Sequence, residues 1–192
     1  MYLRAYDAYT GRVLWQHEAD PFTRFASMPD GVYAAGSNEV VVRDVYSGKE
    51  LKRFNYSAGL ESDAKLLVGD MRVGGDVIVV AAAHEKVRKI PKGLYNSAVL
   101  VALDRWSGQQ LWTRNANERF NTHGLALGPG RVFAADSPSA DKVAELKRRG
   151  ETPGATETTL LALDSRTGQV QWQRALAIPY LCYHDTDYPL GS

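Results

Sequence analysis

The groups best suited to chemistry cluster near the C-terminus, in Tyr183-His184-Asp185-Thr186-Asp187-Tyr188. His with Asp suits a transition metal, and Asp-x-Asp suits a hard cation such as Ca²⁺. No Gly follows at calcium-loop spacing and no Glu closes the segment, so it reads as the polar end of a strand. No metal ligand is assigned. A second group is His84, Lys86, Arg88, Lys89 and Lys92, with Glu85 as its acid. This local basic stretch reads as a solvated loop. His123 follows Asn121-Thr122 where a strand begins, a setting for a hydrogen-bonded scaffold histidine rather than a base. Arg24 and Arg119 occupy comparable places, in PFTRFAS and NERFNTHG. Packing against a neighbouring element is expected of them ahead of ligand contact. Cys182 is the single cysteine, so no intrachain disulfide can form. No catalytic or cofactor-binding residue is assigned.

The elements that would position these groups are set by a repeated frame, Asp-x-x-(Ser/Thr)-Gly-x-x-x-Trp. It occurs at Asp7–Trp15, Asp104–Trp112 and Asp164–Trp172, with a weaker copy from Asp44 in which Lys52 replaces Trp. Each copy follows a short apolar run, such as Val99-Leu100-Val101-Ala102-Leu103. The frame predicts a strand buried on both faces, a tight turn and a second strand. The Asp can accept hydrogen bonds from turn amides, and Gly supplies a positive φ. A Trp at a fixed place can pin one unit to the next, since it buries roughly 150–250 Å². With Lys52 at that place, Leu51 and Phe54 are the available substitutes, and that joint should pack differently. Repeated Asp, Gly and Trp are turn and packing residues, which one packing problem solved repeatedly would produce.

The Ala102-Leu103-Asp104, Ala162-Leu163-Asp164 and Ala5-Tyr6-Asp7 segments, each with its Ser/Thr-Gly and Trp, resemble the repeat of the quinoprotein-type (PQQ-repeat) β-propellers. The resemblance implies an all-β fold of four-stranded antiparallel blades. It also implies an extracytoplasmic, periplasmic setting. The family contains dehydrogenases that use pyrroloquinoline quinone with Ca²⁺, and non-catalytic members such as the propeller lipoprotein of the barrel-assembly machinery. The leading expectation is a non-catalytic scaffold that binds a protein or small ligand through one propeller face, with no cofactor. The alternative is part of a quinone-dependent alcohol or sugar dehydrogenase, with quinone and Ca²⁺. A third reading is a sensor or ligand-binding domain fused to another module. The adjacent cysteines of some dehydrogenases cannot be present with Cys182 alone.

Composition excludes other classes. Across 192 residues the chain is 44% hydrophobic and 23% charged, with a net charge of +1. That gives no electrostatic case for nucleic acid or an anionic membrane. No apolar run approaches the roughly 18 residues of a membrane span. The N-terminal MYLRAYDAYTG is already repeat sequence and does not read as a signal peptide.

The frame glycines stand at 11, 48, 108 and 168, so the first interval is 37 residues and the next two are 60 each. A bare blade takes about 40 residues, so each longer interval holds one blade plus an insertion. The expected order is a partial blade at 1–18, blades at about 19–56, 57–116 and 117–176, and the start of another at 177–192. The insertions fall at 84–96 and 136–158, each between the second and third strands of its blade, and so on one common face. Ala140–Arg149 in the second should be a short helix, capped by Asp141 and stopped by Gly150. The whole reads as a segment of a larger, seven- or eight-bladed propeller. Alone it should be poorly soluble or self-associating, because an open arc exposes sheet edges and apolar faces.

Overall fold

The computed structural model describes residues 1–20, 23–59, 66–84, 97–138, 145–146, 148–151 and 158–176. The side chains of His84, Thr122 and His123 lie outside that description. So do Phe22, most of the basic stretch, Asp141, Cys182 and the Tyr183–Tyr188 cluster.

Among the described residues, thirteen antiparallel strands form three sheets. The first pairs β1 (Tyr2–Tyr6) with β2 (Val13–Glu18). The second runs β3 (Arg24–Met28), β4 (Gly31–Ala35), β5 (Glu39–Arg43) and β6 (Glu50–Asn55) in sequence order. The third joins β7 (Leu66–Gly74), β8 (Val77–His84), β9 (Ser97–Asp104), β10 (Gln110–Gly128), β11 (Arg131–Asp136), β12 (Thr158–Asp164) and β13 (Val170–Leu176), again in order. The blade boundary expected at about 116 puts the strand ending on Trp112 and the strand beginning near His123 in separate blades. They are the two ends of β10, a single 19-residue strand. Its first part pairs β9 from Gln110 to Asn115, and its last part pairs β11 from Leu125 to Gly128. Register breaks fall between, around Phe120. One chain segment thus serves as the last strand of one four-stranded unit and the first of the next.

The expected double-sided burial is visible in β8 and β9. Ile78, Val80, Ala82, Val99, Val101 and Leu103 face one core, shared with Tyr33, Val40, Val42 and Phe54 of the second sheet. Val77, Val79, Ala81, Leu100 and Ala102 face another, shared with Trp112, Leu125, Val132, Leu161 and Leu163. Alternation along a strand sends neighbours to opposite faces, so one unit fills two cores. The first strands of the units, β3, β7 and the end of β10, lie side by side.

β8 runs to His84, β11 to Asp136, and β12 starts at Thr158, so strand takes one residue of the first expected insertion and one at each end of the second. Within the second insertion, Glu145, Leu146 and Arg148 are helical. Gly150 has φ +75°, and the Glu151 N–H donates to the Leu146 carbonyl. This is the bond by which a left-handed Gly ends a helix.

Candidate functional site

Antiparallel order gives the stacked sheets two ends. At one end lie the frame turns. There Asp7, Asp44, Asp104 and Asp164 each use Oδ1 to accept the two following turn amides and the Ser or Thr hydroxyl, at 2.7–3.1 Å. These bonds favour the ionised form and hold all four carboxyls below the ordinary aspartate range. For Asp104, the Arg166 guanidinium of the next turn adds to the Ser107 amide.

The frame Gly explains the repeat. A Cβ added at Gly48 would lie 2.7 Å from the Trp15 ring, and one at Gly168 would lie 2.7 Å from the Trp112 ring. Trp15 Nε1 donates to the Val45 carbonyl at 2.8 Å, and Trp112 Nε1 to the Ser165 carbonyl at 3.0 Å. In both cases the acceptor precedes the Gly by three residues. At the Lys52 joint these tasks are divided. The Phe54 ring covers Gly108, while Lys52 Nζ donates to the Trp106 carbonyl at 3.2 Å. Phe54 lies two residues beyond Lys52, on the same side of the strand, so the expected substitution holds. Arg105, with its side chain 9% exposed, bonds Asp30 at 2.5 Å, the Tyr33 hydroxyl at 3.1 Å and the Gly75 carbonyl at 3.0 Å. That residue sits within the frame's variable pair, and nothing in the pattern marked it.

At the opposite end, β8 leads into the first insertion and β11 into the second, and β9 and β12 lead out of them. The base of the second insertion is fixed by buried polar groups. Asp136, 5% exposed, accepts the N–H groups of Asn117, Glu118 and Arg119 at 2.7–3.0 Å. The Ser137 N–H donates to the Arg119 carbonyl at 2.8 Å, and the Ser137 and Thr158 hydroxyls are 3.0 Å apart. A polar seam runs along the first strands. Arg24 Nε donates to the Gly69 carbonyl at 2.9 Å, and Arg72 Nε to the Leu125 carbonyl at 3.0 Å. Asp70 sits at a register break in β7, accepts the Met71 N–H and pairs with Arg72 at 2.9 Å. Arg24 therefore bonds the neighbouring unit, as packing predicts, and Arg119 contributes its backbone to the Asp136 site. Among the described residues, no group of three or more His, Cys, Asp or Glu side chains could hold a metal ion. No helix among them is long and apolar enough to cross a membrane.

The family model for PQQ_2, described as outer membrane protein assembly factor BamB, matches residues 2–180. The chain belongs to this family. Its fold is that of the PQQ-repeat β-propellers, in four-stranded antiparallel units. The chain is similar to a quinohemoprotein alcohol dehydrogenase from Comamonas testosteroni, at 14% identity and a TM-score of 0.60. The match covers 90% of this chain and 32% of that one. It is also similar to a europium-containing methanol dehydrogenase, at 13% identity and a TM-score of 0.58, over 90% of this chain and 38% of that one. The Neurospora crassa Pan2 WD40 domain aligns at 15% identity and a TM-score of 0.50, over 90% and 43%. The chain thus spans about a third of the length of the two dehydrogenases. Likeness at these identities, reaching a WD40 domain, is likeness of fold. No curated protein matches the chain.

Proposed function

We propose that this chain is part of a non-catalytic PQQ-repeat propeller that binds a protein partner through its insertion-bearing end. The expected blades at about 19–56, 57–116 and 117–176 would supply the platform, and the insertions the contact surface. The observation that carries this reading is the contrast between the two ends. The turn end is engaged in joints between units. At the insertion end, β11 and β12 enter and leave the second insertion on a base fixed by Asp136, Ser137 and Thr158. Loops on a rigid scaffold are where binding surfaces are usually built. Because the family model is described as an outer membrane protein assembly factor, the partner class we favour is a protein of outer-membrane assembly, in an extracytoplasmic compartment.

A photocrosslinking amino acid placed at Gly93, at Glu151 or, as a control on the turn end, at Tyr46 tests this in cells with an outer membrane. Crosslinks to an assembly protein from positions 93 and 151, and none from 46, are expected. Equal labelling from all three positions would refute it. So would saturable calorimetric binding of pyrroloquinoline quinone with Ca²⁺ accompanied by dye reduction with alcohols.

A further inference from the structure

We draw no further inference here: the strongest candidate, the pair of exposed rings, Tyr46 and Trp106, at the tips of two frame turns, carries no proposal because nothing among the described residues shows what covers it.

Discussion

Trp112→Ala should cut the molecule at one joint rather than weaken it evenly. The Trp112 ring is 9% exposed, lies in the core between β8–β9 and β11–β12, and covers Gly168. Truncating a buried Trp to Ala costs about 3–5 kcal/mol. Burial of about 200 Å² at about 25 cal/mol per Å² gives a similar figure, about 5 kcal/mol. The Ser165 carbonyl also loses its donor, which adds about 1 kcal/mol. In stacked repeats each unit is stabilised by its neighbours, so the loss should fall on β11–β13. With a urea slope of about 2 kcal/mol per M, unfolding of that unit should move to lower urea by about 2 M. The dichroism transition should split in two. Hydrogen exchange should accelerate in β11–β13 while β3–β6 and β7–β9 keep their protection. The control is Trp172→Ala, where a ring already 42% exposed should cost about half as much by the same area argument and should not split the transition. A single unsplit transition with even loss of protection, or a shift below about 0.5 M, would refute the reasoning.

At the divided joint, Phe54→Ala should cost about 3–5 kcal/mol, whereas Lys52→Ala should cost at most about 1 kcal/mol; equal losses in urea titrations would show that the ring is not what holds Gly108. Asp30→Ala leaves the buried Arg105 with only the Tyr33 hydroxyl and Gly75 carbonyl and should lower stability by about 1.5–3 kcal/mol, checked by the same titration. Asp136→Ala removes the acceptor of three amides and should cost about 1–3 kcal/mol, with amide exchange speeding up first at 117–119. The four turn carboxyls titrate in the fold below their ordinary range. Their stabilisation is therefore complete above about pH 4 and is lost as pH falls toward the depressed values. Asp104→Asn should flatten the acid limb of the stability–pH curve and leave the slope between pH 6 and 8 unchanged.

The repeat and its turns were legible because each depends on a few residue types at fixed spacing. An Asp that accepts two amides, a Gly at positive φ and a ring four residues on leave the same trace each time. The fused β10 was not legible. The polar run Asn115-Ala116-Asn117-Glu118 reads as a loop, but the Asn117 and Glu118 amides are taken by the Asp136 carboxylate of β11, and no local pattern encodes that acceptor. Arg105 was invisible for the same reason. It occupies a variable position and finds Asp30 and Gly75 from other turns only after the units stack. Arg24 was legible as a choice between ligand and neighbour, and its bond to Gly69 decided it.

The two ends of the stack are unlike in what their polar groups are doing. At the turn end, Asp104 holds Arg166, Trp15 and Trp112 take the carbonyls of Val45 and Ser165, and Arg105 ties three turns together. A partner binding there would compete with the bonds that hold unit to unit. At the insertion end Asp136, Ser137 and Thr158 bond the β10 backbone and one another. On the function proposed above, a change of binding partner is expected in the two insertions, while the Asp, Gly and ring of each joint stay fixed by packing.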